Sequence, residues 1–321
     1  MARKMICIGM GVYNEISNIG LLVEKITQIF QTELPDYNYN IVIADNKSTD
    51  GTREWIVEHA KTNKHIKAIL NSTNLRPGSG LNLLQRVSGD CVIFLAGDLQ
   101  DPPELIPRFV QAWEEGFKIV IGIKTKSKEN PVMYTIRKLY YMGLDKISES
   151  PQIRQFTGFG LYDRKWIKFL KSIDDPVLYG RGVVAKYGFE RKEIEFVQPR
   201  REHGQSKSKF MYLYRTGMSA ITAYSEIPLQ LATMMGFLCS LGSFIAAMVY
   251  LILKLIYWEN FQAGMAPILV STLFIGSVIL FFIGLLGEYI ININKRVMNY
   301  PHVLEERLIN FDESDDSTDT E

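Results

Sequence analysis

The chain has 321 residues, enough to bury a sizeable core and to divide into more than one domain. Lys plus Arg number 36 against 35 Asp plus Glu, a balance that selects no strongly charged partner, and no nucleic-acid partner is expected. The three cysteines, Cys7, Cys91 and Cys239, lie in apolar runs without metal or disulfide spacing, so they read as small core or lipid-facing residues in a reducing compartment.

The N-terminal "MARKMICIGMGVYNE" ends a short apolar run in a polar turn rather than a cleavage site, so no removable leader is expected. Met5–Met10, Tyr39–Asp45, Ile66–Leu70, Cys91–Ala96 and Lys118–Ile123 read as buried strands, rich in β-branched residues and lacking polar alternation. Between them Asn18–Thr32, Thr49–Thr62, Ser79–Val87 and Pro103–Glu115 carry helical periodicity, and "STDGT" supplies N-cap residues for the second helix. This alternation predicts an α/β fold with a mostly parallel, doubly wound sheet. Ligands of such sheets bind beyond the carboxyl ends of the strands. That puts "VYNE", "DNKSTD" and "GDLQD" on one rim.

Beyond Lys124 the pattern is less regular, with helices predicted at Val132–Ile147 and Arg164–Lys171 and a strand at Glu190–Gln198. Residues 206–228 mix aromatics, small side chains and cations, as a helix lying in a membrane interface would. Leu229–Trp258 and Ala266–Ile290 each exceed the roughly 20 apolar residues that cross a bilayer core. Their charges, Lys254 and Glu288, stand near their ends, and the loop "ENFQAG" between them has neither Lys nor Arg. Arg200, Arg201, Lys207, Lys209 and Arg215 precede the pair, and Lys295 and Arg296 follow it. Positive flanks stay inside, so a multi-pass hairpin in the inner membrane with both termini cytoplasmic is expected. The acidic "FDESDDSTDTE" is expected to be a disordered tail.

Several rim groups have the chemistry of a phosphate and cation site. Asp45 ends the second strand, where a carboxylate can accept hydrogen bonds from a base NH or a ribose hydroxyl. Asp50 is as well placed to cap a helix as to touch a ligand. Gly78 and Gly80 around Ser79 suit close backbone approach, but no Gly-Lys-Ser/Thr follows, so this is no Walker loop. In "GDLQDPPE", Asp98 and Gln100 alternate with Gly97 and Leu99, so in an extended segment both would point one way. Their oxygens, with two ligand phosphates, would suit Mg2+ or Mn2+. A solvated turn held by Pro102 and Pro103 is the alternative.

Together, "VYNE", "DNKSTDGT", "GDLQDPPELI" and the later "PRREHGQSKSKF" resemble the family-2 glycosyltransferases of the polyprenyl-phosphate type, which include dolichol-phosphate mannosyltransferase and the bactoprenol glucosyltransferases. The resemblance covers nearly the whole chain. It implies a GT-A fold and inverting transfer of one sugar from a nucleotide sugar to polyprenyl (undecaprenyl) phosphate at the cytoplasmic membrane face, with Mg2+ or Mn2+. A UDP-sugar, UDP-glucose or a related UDP-hexose, is favoured over a GDP-sugar by analogy with the bacterial branch. It also implies a division into a catalytic domain over 1–205, juxtamembrane helices over 206–228, spans over 229–258 and 266–291, and a tail over 311–321.

Residue by residue, the resemblance implies a nucleotide-sugar pocket of Val12, Tyr13, Asn14, Glu15, Asp45, Ser79, Gly97 and Asp98. Asp98 and Gln100 match the metal-binding Asp-x-Gln, while Ala96 replaces the family's preceding Asp and leaves one protein ligand fewer. Asp101 either assists there or caps the next helix. Arg137, Arg200, Arg201, Ser206 and Lys207 match the groups that hold the acceptor phosphate. Asp98, Arg137, Arg200 and Lys207 are implied to be catalytic, because charge grows on the leaving diphosphate and must be stabilised. A phosphate monoester is substantially ionised near neutral pH (second pKa about 6), so no strong base is required. His203 is the alternative base, and Thr157 stands near where the family often has Asp. Arg181 either contacts the donor or pairs with a loop carboxylate.

A processive synthase would carry a Gln-x-x-Arg-Trp helix and further spans, and "QPRREHG" is not that motif. Ala96 keeps a non-catalytic, membrane-anchored nucleotide-sugar binding protein as the other reading. Gly236, Gly242, Gly276, Gly284 and Gly287 would permit close helix contacts in a homo-oligomer.

Overall fold

The computed structural model describes residues 3–74, 78–126, 153, 155–173, 175, 180–187, 189–199, 227–256, 265–298 and 304–311. Four apolar runs form strands β1 (Met5–Val12), β2 (Asn38–Asp45), β3 (Ile66–Asn71) and β4 (Cys91–Phe94), which pair in parallel. Helices α1 (Ile16–Thr32), α2 (Thr52–Thr62) and α3 (Gly78–Arg86) connect them, and a short 3-10 turn leads into α4 (Ile106–Glu114) after β4.

Both faces of these strands are covered, which is why their sequences lack polar alternation. Ile6, Ile8, Met10, Ile41 and Ile43 pack with the apolar stripe Ile19, Leu22 and Ile26 of α1 and with Phe109 and Trp113 of α4. The alternate residues Cys7, Val42, Ala44 and Ile69 pack on the other side with Leu83 and Leu84 of α3. Burying each Ile or Leu side chain contributes about 1.5–3 kcal/mol against the entropy of ordering it. Cys7 and Cys91 are buried in the core.

Four more strands complete the sheet: β5 (Ile119–Lys126), β6 (Phe156–Asp163), β7 (Arg191–Val197) and β8 (Glu305–Ile309). The order is β7-β5-β6-β4-β1-β2-β3-β8. β6 runs antiparallel to both β4 and β5, β7 parallel to β5, and β8 antiparallel to β3. The expected α/β sheet is therefore present as a mixed, mostly parallel one. Between β6 and β7 lie α5 (Arg164–Lys171) and α6 (Gly180–Lys186). Asp163 caps α5, accepting from Lys165 N at 3.0 Å, while its other oxygen accepts from Trp113 Nε1 at 2.9 Å.

One local expectation changes. The N-cap of α2 is Gly51, at φ 99 in the left-handed region, with no side-chain cap bond. Asp50 acts one residue earlier, as described below.

The chain separates into two compact units, Met1–Tyr141, Pro151–Lys207 and Met298–Glu321 in one, Met142–Ser150 and Ser208–Val297 in the other. The second contains the long helix α7 (Ile227–Ile256) and nearly all of α8 (Met265–Met298). Within α8, Phe274–Ile291 has a mean hydropathy of 2.2 over 18 residues, long and apolar enough to cross a membrane. The expected helix at Val132–Ile147, the interfacial residues 206–226 and tail residues 312–321 lie outside the described residues. Phe311, at the start of the expected tail, sits 5.2 Å from the Lys67 ammonium.

Candidate active site

The parallel strands end together, and the loops after β1 and β2 are tied to each other there. Val12 is in register with Asp45, and Asn46 N donates to Val12 O at 3.0 Å. Asn14, at φ 57, donates its backbone N–H to Ser48 Oγ at 2.9 Å, and its Oδ1 accepts from Thr49 N at 2.8 Å. Glu15 N donates to Thr52 Oγ1 at 2.9 Å, and Glu15 Oε2 accepts from Asn18 Nδ2 at 2.7 Å. Asp50 crosses between the two loops: Oδ2 accepts from Ile16 N at 3.2 Å and Oδ1 from Thr52 Oγ1 at 2.6 Å. Burial pushes its carboxyl up, but the bonds from Thr52 and Ile16 outweigh burial and hold it below the usual carboxylate range.

Asp45 has no solvent exposure. Its Oδ1 accepts from Ser48 N at 3.1 Å and its Oδ2 from Arg53 Nε at 2.6 Å. A buried carboxylate needs such partners, and they fix where the loop after β2 sits on the rim. Beside it runs a chain of amides: Asn82 Nδ2 donates to Asn71 Oδ1 at 2.8 Å, and Asn71 Nδ2 donates to Asn46 Oδ1 at 3.0 Å. Asn46, Ser48, Arg53, Asn71 and Asn82 were not among the sequence candidates. A signal existed for Asn46 and Ser48, which lie inside the quoted motif, and for Asn71, a polar residue closing an apolar strand.

The "GDLQD" segment is a turn, so the extended geometry expected for it does not hold. Leu99 takes φ 61, a conformation rare for a bulky residue. Asp98 and Gln100 are joined instead by a bond from Gln100 N to Asp98 Oδ1 at 3.2 Å. Asp101 is buried, and its Oδ2 accepts from Ala96 N at 2.9 Å. Gly97 lies against β1: a β-carbon there would stand 2.6 Å from Val12 Cγ1. Val12, Asp45, Gly97 and Asp98 are thus gathered on one rim.

Among the described residues no group of three or more His, Cys, Asp or Glu side chains is gathered for a metal ion. The Asp98 carboxylate and the Gln100 amide, both partly exposed, offer two oxygen donors. That set fits a hard cation which keeps several waters and takes its remaining ligands from substrate phosphates. It does not fit an all-protein cage.

Burial raises the Asp101 carboxyl to about 6; the Ala96 N–H opposes this, the Asp98 charge adds to it and Lys124 subtracts. A raised acid pKa means the folded state holds its proton longer than the unfolded one. The stability it contributes is therefore complete below about pH 4 and lost as pH rises through about 6. Asp101→Asn keeps an acceptor for Ala96 N without the charge. In EDTA it should raise the melting temperature at pH 8, by at most about 3 kcal/mol of stability, and change it little near pH 4, with about half of the effect at pH 5. An equal effect at all three pH values would contradict the assignment.

Of the other candidates, Tyr13 and Glu15 are half-buried on the rim, and Ser79 lies in the first turn of α3. Gly80 has open space around it, with nothing within 4 Å of an added β-carbon. Thr157 is exposed on β6 and Arg181 belongs to α6. Arg137, Arg200, Arg201, His203, Ser206, Lys207, Lys209 and Arg215 lie outside the described residues.

A family model described as glycosyl transferase family 2 matches residues 7–173, the segment that supplies this rim. The chain belongs to glycosyl transferase family 2. This family-2 glycosyltransferase is 30% identical over 292 residues to an uncharacterized glycosyltransferase of Synechocystis sp., covering 90% of this chain and 91% of the other. It is 30% identical over 293 residues to the SfII prophage-derived bactoprenol glucosyl transferase of Shigella flexneri, with 90% and 94% covered. A solved mannosyltransferase of Pyrobaculum calidifontis, in complex with GDP-Man and Mn2+, is similar at 14% identity and a TM-score of 0.45, over 92% of this chain and 85% of that one. The mixed, mostly parallel α/β sheet of this chain meets the fold class expected from its strand–helix alternation.

Proposed function

We propose that this glycosyltransferase moves one sugar, with inversion, from a nucleotide sugar to polyprenyl phosphate at the cytoplasmic face of a membrane. The observation that carries the reading is the course of the chain. It leaves the sheet after β7, runs through α7 and α8, and returns to pair β8 with β3. A segment that starts and ends on one soluble unit crosses a membrane an even number of times. Among the described residues Phe274–Ile291 is the one candidate span, and we assign the second crossing of the proposed hairpin to α7. A lipid acceptor is further supported by relatives named bactoprenol glucosyl transferase.

On this reading the nucleotide lies along Val12, Tyr13, Asn14, Glu15 and Asp45, with its diphosphate over Gly97 and Asp98. Asp98 and Gln100 would hold Mg2+ or Mn2+, which when bound would offset the diphosphate charge. Arg137, Arg200, Arg201, Ser206 and Lys207 would hold the acceptor phosphate, their cations offsetting the repulsion between two anions. An oxygen of that phosphate attacks C1 from the face opposite the diphosphate. The new C1–O bond forms as the old one breaks, and the electron pair leaves with the nucleoside diphosphate. Positioning and charge stabilisation account for the rate without a strong base.

The test is a panel of labelled UDP- and GDP-sugars offered to membranes with undecaprenyl phosphate, with and without EDTA. Label should enter the organic phase from a UDP-hexose and fail to do so in EDTA. Nucleotide binding without transfer would favour a scaffold instead. Lys207→Ala should raise KM for polyprenyl phosphate about tenfold or more, the scale of a lost charge-assisted hydrogen bond. The donor KM should stay near wild type, and equal losses on both substrates would contradict an acceptor role.

A further inference from the structure

Strand β8 follows the two long helices in sequence, yet its first residues, Glu305 and Glu306, sit at the rim end of β3. Its adjacent residues Glu305 and Glu306 point to opposite faces of the sheet. On one face Glu305 takes Arg86 of α3 in a two-pronged pair, Nε to Oε1 at 3.0 Å and Nη2 to Oε2 at 2.8 Å. On the other face Glu306 Oε2 accepts from Arg53 Nη1 at 2.8 Å. The same guanidinium donates from Nε to Asp45 Oδ2 at 2.6 Å and from Nη2 to the Asn71 carbonyl. Arg53 therefore joins β2, β3 and β8 through one planar group whose donors are fixed in direction. Further bonds seat the strand: Ser72 N donates to Leu304 O at 2.9 Å, and Asn310 Nδ2 donates to the carbonyls of Ala60 at 2.6 Å and Ile66 at 2.8 Å.

We infer that Arg53 is a positioning residue of the donor pocket, and that β8, through Glu306, completes that pocket by holding Arg53 against Asp45. The inference rests on the reading that Asp45 faces the nucleotide. Asp45 has no solvent exposure, so its direction is set by its partners. Of its described partners, Arg53 carries the charge, and its guanidinium is in turn held at its other end by β8. A nucleotide seated on the loop that Asp45 anchors thus depends, through Arg53, on a strand far along the chain from the matched segment 7–173. Nothing in the chemistry of transfer requires Arg53, so its loss should weaken donor binding and leave turnover alone.

The test measures binding of UDP and of GDP, each with Mn2+, to the full chain in detergent, together with donor and acceptor kinetics and melting. The variants are Arg53→Lys, Glu306→Gln, Asp45→Asn and, as a control on an exposed residue of the same strand, Arg307→Gln. Arg53→Lys should raise the nucleotide Kd and donor KM about tenfold and Glu306→Gln severalfold, the range of charge-assisted hydrogen bonds. kcat at saturating donor and KM for polyprenyl phosphate should change less than twofold, and Arg307→Gln should match wild type. If Asp45→Asn weakens nucleotide binding while Arg53→Lys and Glu306→Gln lower only the melting temperature, the positioning role is overturned and the donor pocket stands. If Asp45→Asn leaves both nucleotides bound as in wild type, the donor pocket is misplaced and the inference falls with it. Should Arg53→Lys fail to fold, Glu306→Gln decides alone, because Glu306 is exposed enough to substitute without loss of the core.

Discussion

Asp98→Ala should abolish sugar transfer while the protein stays folded in the membrane. Asp98 stands in the turn that follows β4, on the rim where Gly97 touches Val12, and it is only partly buried. The described bond lost from the fold is the 3.2 Å contact from Gln100 N, worth about 1 kcal/mol. Its removal also relieves Asp101 of a neighbouring negative charge. For the reaction the change is far larger. Asp98 is the carboxylate of the proposed cation pair, and it stands where the leaving diphosphate must be stabilised. Loss of a group of this kind costs on the order of 10²–10³ in kcat. Transfer is measured at saturating donor and cation, with folding followed by melting. Wild-type rates would remove Asp98 from the metal site.

Gly160→Ala should damage the fold rather than the chemistry. Gly160 lies on β6 between Phe94 of β4 and Ile121 of β5. A β-carbon there would run into the carbonyl oxygen of Val120, and Ile121 Cα would be 3.1 Å away. Both are backbone atoms of a paired strand, so relief requires the strands to part. The expected cost is about 2–4 kcal/mol, read as a lower melting temperature and poor yield in membranes. Gly80→Ala is the matched control, since nothing lies within 4 Å and alanine favours a helix. Equal stability of the two variants would contradict the register of β6.

The four parallel strands were legible because covering both faces forces uninterrupted apolar runs. β6 was not, because "FTGFGLYD" carries the two glycines that close packing and a left-handed turn demand, and glycine reads as loop. β8 was hidden for another reason: "EERLI" is a short edge strand whose charges are taken up by Arg53 and Arg86, partners more than 200 positions away. The rim motifs were visible as residues, but their wiring was not. Asp45 could be placed at a strand end from its sequence, whereas its pairing with Arg53 needs the first turn of α2 folded against β3. The turn at Asp98 escaped alternation because Leu99 adopts φ 61, which composition does not signal.

The central claim is best tested by the mass of the lipid after incubation of purified protein with nucleotide sugar, Mn2+ and undecaprenyl phosphate. Wild type should form a new species equal to the lipid phosphate plus one sugar residue, and Asp98→Ala should not. Release of nucleoside diphosphate with the lipid mass unchanged would contradict it.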